Sequence, residues 1–421
     1  MLSRSATPAY KIVERTDLSR YENGKYLGHV YRETRGNLKP QSHLSETASF
    51  EYSGDFYVLE ETLRDLSQSA RSVDELVPAK FRVNPDGSIE MIEDRGQPSL
   101  RGFPAYPREA VRVGEKWTAR FTRAVDPRNE GIITVMPLIA QFEYRGLEEY
   151  KGIAVHRVFA KYATRYKAYE SAPKSFKEAS GTHETDILLR VSDGLPLLLR
   201  DRMDETFTWA DSSSLRFRGF TLTFTEGSLP LDRIAGITQV AKALGQSTPP
   251  SAATPEPTGL NAGNEGISST PGDFELAPSG ESPGIALTSM PVLPDLGNGN
   301  ILVEPNDAGI KLSIRDLRFA ADSADLLPSE RGRLDRIALA LKSAEGRNFL
   351  VEGHTAAVGK PQGELELSLQ RAKRVLDELV ARGIPADRFM YRGLGGTKPL
   401  VPNDNEAARA KNRRVDITIL E

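Results

Sequence analysis

One stretch of the chain, residues 245–300, limits the fold more than any other feature. Pro, Ser, Gly and Thr dominate it, as in "STPPSAATPEPTG", and neither Lys nor Arg occurs between Ala243 and Ile310. A segment of this composition buries too little apolar surface to fold alone, and its few charges are acidic, so it stays solvated. We therefore predict a disordered linker over residues 241–300, with separately folded parts on either side.

The composition of the whole chain excludes several classes of function. Its 421 residues leave room for two or three domains, and a formal charge of −3 gives no overall field that would attract nucleic acid. The chain has no Cys, which excludes disulfides, thiolate catalysis and Cys-ligated metals. The five histidines show no HxxxH or HExxH spacing, and no GxSxG motif occurs. We therefore expect a protein that is not an enzyme and that uses no metal and no cofactor.

The sequence contains no obvious membrane segment. No apolar run is long enough to cross a bilayer as a helix, and the opening "MLSRSATPAY" lacks the apolar region of a secretory signal. We therefore expect membrane association only through an anchor removed from this sequence, such as a lipid-carrying Cys.

The part before the linker has the pattern of antiparallel β-structure. "GKYLGHVYRE", "ASFEYSGDFYVLEE" and "LRFRGFTLTFTE" alternate and are rich in aromatic and β-branched residues. Asn-Gly or Asp-Gly dipeptides at positions 23, 86 and 193 are typical of hairpin turns. We predict a mainly-β region with one short helix over Ser72 to Leu76. It divides into modules at residues 1–105 and 106–240, which are either separate or parts of one domain.

Two arrangements of these strands remain open. A closed β-sandwich would have a filled core and no ligand. A curved half-barrel would hold an apolar ligand, and the protein would then be a periplasmic carrier of a lipid or similar molecule. A cavity in the β region would favour the carrier, whereas a filled core would favour the sandwich.

The part after the linker has clear helix and strand periodicities. "IKLSIRDLRF", "NFLVEGH", "RFMYRGLG" and "RRVDITIL" read as strands, and two amphipathic helices lie between them. The order predicts an α/β sandwich, βαβαββ, over residues 301–421 with both helices on one face of the sheet. The inward helix positions are predicted to be Leu334, Ile337, Ala338 and Leu341 in the first helix, and Leu369, Ala372, Leu376 and Leu379 in the second.

Several motifs of this part occur in the order found in one family. "VEGHTAAVG", "LSLQRAKRVLDELVARGI", "DRFMYRGLGGTKP" and "NDNEAARAKNRRVDI" resemble the OmpA-like domain of bacterial cell-envelope proteins, over about residues 312–420. The resemblance implies a domain that grips the diaminopimelate of the peptidoglycan stem peptide. In it, an aspartate pairs with the ligand's ammonium and a helix arginine forks onto its carboxylate. It also implies a place in the periplasm or at the outer membrane of a diderm bacterium.

The family's site residues carry over to this chain only in part. The helix arginine corresponds to Arg371, and Arg414 of the "NRRV" segment is expected to help at the same site. The aspartate position follows Thr355 directly, and this chain has Ala356 there. Two further polar positions of the family also differ, and they hold Ala320 and Glu364.

These changes predict a pocket whose direct binding of peptidoglycan is weak or lost. Removing one partner of a close charge pair costs about 2–5 kcal/mol, which weakens binding by roughly thirty-fold to several thousand-fold. Two alternatives keep a ligand: Glu364 supplies the missing carboxylate, or the pocket suits another diamino acid. A third makes the domain a protein-interaction scaffold with an envelope protein as its partner. We expect no nucleic-acid partner, because "KNRRVD" belongs to the family's loop and strand.

Overall fold

The computed structural model describes residues 9–41, 49–59, 70–168, 175–227, 233–245, 301–320 and 323–421. Most of the predicted linker lies outside these ranges. Its predicted start is wrong, because helix α1, Arg233–Ala243, runs into it. Within the described ranges, no helix combines the length and the apolar character needed to cross a membrane.

In the described part of the N-terminal region, twelve strands form the mainly-β structure that the alternation predicts. The predicted helix over Ser72 to Leu76 is wrong, because these residues lie in a strand that pairs along its length with the preceding strand. Buried Val73 and Val77 contribute to apolar cores there, which favours the extended form. The strands are β1 Tyr10–Glu22, β2 Lys25–Pro40, β3 Phe50–Leu59, β4 Arg71–Val83, β5 Ile89–Glu93, β6 Leu100–Arg101, β7 Lys116–Val125, β8 Thr134–Tyr150, β9 Ile153–Lys167, β10 Glu178–Arg190, β11 Pro196–Thr208 and β12 Ser214–Gly227.

These strands make one continuous antiparallel sheet. Its order is β5-β4-β3-β2-β1-β12-β11-β10-β9-β8-β7, with β6 on the outer side of β7. The first strand pairs with the last over its whole length, from Tyr10 opposite Gly227 to Glu22 opposite Leu215. The strands of both predicted modules therefore share one sheet.

The sheet folds over onto itself. Ser99, next to edge strand β6, donates a hydrogen bond of 3.1 Å to the carboxylate of Glu14 in the central strand β1. Two apolar cores lie within the fold. One gathers residues of β7 to β12 around Phe142, and the other gathers residues of β1 to β4 around Tyr52 and Phe81.

The C-terminal part is the α/β domain expected from the sequence, with two additional elements. Strand β13 and the short helix α4 were not predicted. Asn405 caps α4 by accepting the amide of Ala408 at 2.9 Å. The elements are β13 Ile301–Asn306, β14 Gly309–Arg315, α2 Arg331–Lys342, β15 Phe349–His354, α3 Pro361–Ala381, β16 Phe389–Gly393, α4 Glu406–Asn412 and β17 Arg414–Leu420. The sheet order is β13-β14-β17-β15-β16.

The predicted inner faces of the two long helices are largely confirmed. All four positions of α2 are buried, as are the last three of α3. The prediction for Leu369 is wrong: it is only partly buried, while Ser368 and Val375 face inward instead. A polar residue can be buried at position 368 because the hydroxyl of Ser368 accepts a hydrogen bond from the amide of Gly395 at 2.9 Å.

The other face of the C-terminal sheet packs against the N-terminal sheet. Leu350, Met390 and Leu420 form one cluster with Tyr57 and Leu59 of β3. Their sequence neighbours point to the helices, as period-two alternation requires. Helix α1 covers the domain from the helix side, because its residues belong to the same core as α2. Both faces of this sheet are therefore covered by parts of the same chain.

Candidate functional site

The loop after β15 is fixed closely against helix α3. Gly353 lies so near the helix that a Cβ there would come within 2.0 Å of the carbonyl oxygen of Ser368. The amide of Thr355 donates to the carbonyl of Gly395 at 2.9 Å, and both Thr355 and Ala356 are buried. The loop that the sequence singles out is thus held rigidly by its backbone.

A cavity of about 260 Å³ lies beside this loop. Four arginines and one aspartate line it, and two of the arginines, Arg413 and Arg414, are paired with Glu406 and Asp416, so its net charge is moderately positive. Such a pocket suits a carboxylate and offers little to an ammonium group. The lining residues are Asp316, Leu317, Arg318, Phe319, Leu327, His354, Arg371, Arg413 and Arg414.

Arg371 reaches this cavity from the exposed side of α3. Its guanidinium lies 4.7 Å from the centroid of the Phe319 ring, and its Nε donates to the carbonyl of Ser323 at 3.3 Å. The ring and the carbonyl hold the side chain across the pocket. A guanidinium is a planar group of donors of the kind that binds a carboxylate.

Arg414 also lines the cavity, but it is buried and already engaged. Its Nε donates to Asp416 at 3.0 Å and its Nη2 donates to the carbonyl of Lys398 at 3.2 Å. His354 Nε2 lies 3.3 Å from the same carboxylate. Burial alone would raise the pKa of Asp416, but His354 and Arg414 hold that pKa below its ordinary value. Arg414 therefore belongs to a buried ion network that supports the floor of the pocket.

Glu364 stabilises this loop through hydrogen bonds to its backbone. Its side chain is buried, and one carboxylate oxygen accepts the amides of Val358 at 2.7 Å and Lys360 at 3.1 Å. It caps the first turn of α3 and is not among the residues that line the cavity. The two alanines offer no polar atom beyond their backbone: Ala356 is buried and Ala320 is half-buried in the loop after β14.

We expect Glu364→Ala to loosen this loop. Hydrogen bonds to a charged group contribute about 1.5–3 kcal/mol, so hydrogen exchange at the amides of Val358 and Lys360 should accelerate by roughly tenfold to a hundredfold. Glu366→Ala is the matched control, because Glu366 is exposed and accepts a hydrogen bond from the side chain of Gln370 at 3.3 Å. Equal exchange rates in both variants would contradict the capping role.

Sequence reasoning missed several contributors to this site, among them Arg318 and Asp416. Arg318 lines the pocket from the loop after β14, and Asp416 anchors Arg414 from two positions along the same strand. A signal for Asp416 was present: it lies between buried Val415 and Ile417, and a buried acid needs a partner. Residues two apart on a strand share a face, so Arg414 was the natural candidate.

A comparison with protein families assigns this region. Residues 318–413 match the model of the OmpA family. This is an OmpA-family domain. The peptidoglycan-binding protein ArfA of Mycobacterium tuberculosis is 39% identical over 103 residues, which are 24% of this chain and 32% of that protein. The probable lipoprotein YiaD of Escherichia coli is 32% identical over 123 residues, which are 29% of this chain and 56% of that protein.

One solved structure is also similar to the OmpA-like domain. The cell wall anchor of the T6SS from Pseudomonas aeruginosa is 33% identical, covers 29% of this chain and 87% of its own chain, and has a TM-score of 0.27. The chain spans only 32% and 56% of the two curated relatives, so the likeness concerns a domain and not the whole proteins.

Proposed function

We propose that the chain is a non-enzymatic cell-envelope protein whose OmpA-like domain associates weakly with the peptidoglycan stem peptide. The observation that supports this is the composition of the pocket: Arg371 and Arg318 line it, and the loop position next to Thr355, where the resemblance places an acid for the ammonium, has the methyl group of Ala356. The relatives' printed names, a peptidoglycan-binding protein and a lipoprotein, support the same setting. On this proposal the protein resides in the periplasm or at the outer membrane.

The test is a calorimetric titration of the whole chain with a stem peptide that contains diaminopimelate. Where an intact pocket would bind at micromolar Kd, the loss of one charge partner predicts a Kd of roughly 30 µM to several millimolar. Arg371→Ala should weaken this binding further. Arg374→Ala is the control on the same helix, because Arg374 does not line the pocket and pairs with Glu378 at 3.0 Å, with 42% of its side chain exposed. Micromolar binding by the unmodified chain would overturn the proposal of a weakened pocket.

A second candidate function belongs to the N-terminal sheet, and a cavity of about 450 Å³ between its two apolar cores favours it. On this proposal residues 10–227 form a single half-barrel that binds a ligand in its interior. The volume lies within the usual range of small-molecule sites. Residues of β1, β2, β4, β7, β11 and β12 contribute to the lining, so both halves of the sheet enclose it.

A further inference from the structure

The cavity of the N-terminal sheet has a polar centre. Along β1 the residues that line it are Glu14, Thr16, Leu18 and Arg20, which alternate as residues on one face of a strand must. Opposite Thr16 stands Arg32 on β2. The sequence predicted either a filled apolar core or an apolar cavity at this place, and neither description fits these side chains.

The polar character continues across the neighbouring strands in register. Thr16 stands opposite Thr221 of β12, Thr221 opposite Asp201 of β11, and Asp201 opposite Thr185 of β10. These residues all line the cavity. Burying a row of hydroxyl and charged groups on the inner face of a sheet costs free energy unless water or a ligand forms hydrogen bonds with them. This row therefore indicates a surface for a ligand.

Part of the charge in the cavity wall is already neutralised. Asp201 accepts from His183 Nδ1 and from Thr185, both at 2.7 Å. Arg123 donates to the buried Glu205 at 2.7 Å. These two acids and two bases satisfy one another within the wall, so they add little net charge toward a ligand.

Arginines and acids both line the rest of the cavity. Among them Arg20 has an unused donor, because its buried Nε has no hydrogen-bond partner within the described part of the chain. Burial raises the pKa of Glu14, which favours its neutral form. Asp126 is held by backbone amides of its own loop, and Glu75 is exposed at the rim. A guanidinium with an unused buried donor is suited to an anion.

Apolar side chains lie next to Arg20. Phe217 stands opposite Arg20 on β12, and Phe207 and Leu199 of β11 line the same cavity with Phe103. A ligand that enters the cavity therefore meets the guanidinium of Arg20 together with aromatic and aliphatic surface. Such an arrangement matches a molecule with one charged end and an apolar body.

We propose that this cavity binds an amphipathic anion, with its carboxylate or phosphate at Arg20 and its apolar body against Phe217, Phe207 and Leu199. The inference rests on the proposed ligand-binding role of the N-terminal sheet and defines the class of its ligand. It differs from a purely apolar ligand because the guanidinium of Arg20 selects the head group.

The experiment titrates the whole chain with four probes that share one alkyl chain and differ in the head group. The probes are dodecanoate, dodecyl phosphate, dodecanol and dodecyltrimethylammonium, each used below the concentration at which it forms micelles. We expect the two anions to bind at one site per chain and the cation to bind more weakly than dodecanol. The tighter of the two anions identifies the preferred head group.

Substitutions then assign the site. Arg20→Gln should weaken binding of the anions by roughly tenfold to a hundredfold and leave dodecanol unchanged, because a charge-assisted hydrogen bond is lost. Arg20→Lys keeps the charge and should retain part of the affinity, which separates this effect from misfolding. Arg218→Gln is the matched control, because Arg218 lies on β12 at the outer face with 66% of its side chain exposed.

The outcomes separate the inference from the function on which it rests. If dodecanol binds as well as the anions and Arg20→Gln has no effect, the sheet is a ligand-binding module but its ligand is not an anion. If none of the four probes binds, both the anionic ligand and the ligand-binding role are overturned.

Discussion

Ala356→Asp is expected to tighten binding of a diaminopimelate stem peptide by roughly thirty-fold or more. Ala356 is not among the residues that line the arginine-rich pocket, but it lies in the loop beside it, at the position of the family's aspartate. An aspartate there is expected to reach the ammonium of the ligand, and a partner in a close charge pair is worth about 2–5 kcal/mol. The measurement is calorimetric titration of the whole chain, with the unmodified protein titrated in parallel.

The environment of Ala356 explains why the gain should depend on the ligand. The residue is buried, so a carboxylate there is costly when the pocket is empty. We therefore expect the free variant to melt at a lower temperature than the unmodified chain. Saturating stem peptide should restore the melting temperature, because a ligand that binds only the folded state stabilises it in proportion to its affinity.

The control for this prediction is one residue away. Ala357 is exposed, so Ala357→Asp adds the same charge outside the buried position. It should change neither the affinity nor the melting temperature by much. If Ala356→Asp remains folded and gains no affinity, the pocket has been altered by more than the loss of one acid.

The secondary structure of the C-terminal domain could be predicted in detail, because it follows from the spacing of apolar residues within each helix and strand. The helix of Leu334, Ile337 and Leu341 follows from spacing alone, and each of these residues is buried. The pocket was harder to predict, because Arg371 and Arg318 meet only after α3 packs on the sheet. The role of Glu364 was missed for the same reason. Its partners are backbone amides, and because every residue except proline has one, the sequence does not show which amides a side chain will bind.

The N-terminal sheet was predictable only as a set of strands. Alternation shows which residues share a face, and Glu14, Thr16 and Arg20 do share one. It does not show which strands pair, and β1 pairs with a strand about two hundred residues away. The polar interior arises from that pairing, because it brings Thr221 and Asp201 into the row of Thr16.

The second large effect is expected at Glu205, in the wall of the N-terminal cavity. Its carboxylate is fully buried and is bonded by Arg123 at 2.7 Å and by Thr164 at 2.6 Å. Glu205→Gln leaves the half-buried Arg123 without its charge partner, so we expect a loss of about 3–5 kcal/mol in the free energy of unfolding. Both tryptophans of the chain, Trp117 and Trp209, pack in the apolar core of this sheet, so tryptophan emission during urea unfolding reports on it selectively.

The matched control lies on the outer face of the same sheet. Glu184 pairs with Lys161 at 3.0 Å, and about half of each side chain is exposed. Glu184→Gln should change the free energy of unfolding by less than about 1 kcal/mol, because exposed ion pairs contribute little. Equal effects of the two substitutions would contradict the role assigned to the buried network.

The pH dependence of the free energy of unfolding provides an independent test of the pairing between Glu205 and Arg123. Burial alone would raise the pKa of Glu205, but Arg123 and His183 lower it to about 2 from an ordinary 4.5. A carboxylate whose pKa is lower in the folded state adds stability above its unfolded pKa and loses it as the pH falls through the folded value. The difference between the unmodified chain and Glu205→Gln should therefore shrink from pH 4.5 to about pH 2.

His183 adds a second pH interval to this comparison. Burial alone would lower its pKa, but the hydrogen bonds to Asp201 and Glu205 raise it above the ordinary 6.5. Stability gained from its charged form is fully present below pH 6.5 and is lost as the pH rises through the folded value. Glu205→Gln removes one of the two partners, so the variant should lose less stability than the unmodified chain above pH 6.5. If the two curves stay parallel throughout, the network does not hold these charges, and the neutral cavity wall on which the anionic ligand depends is also contradicted.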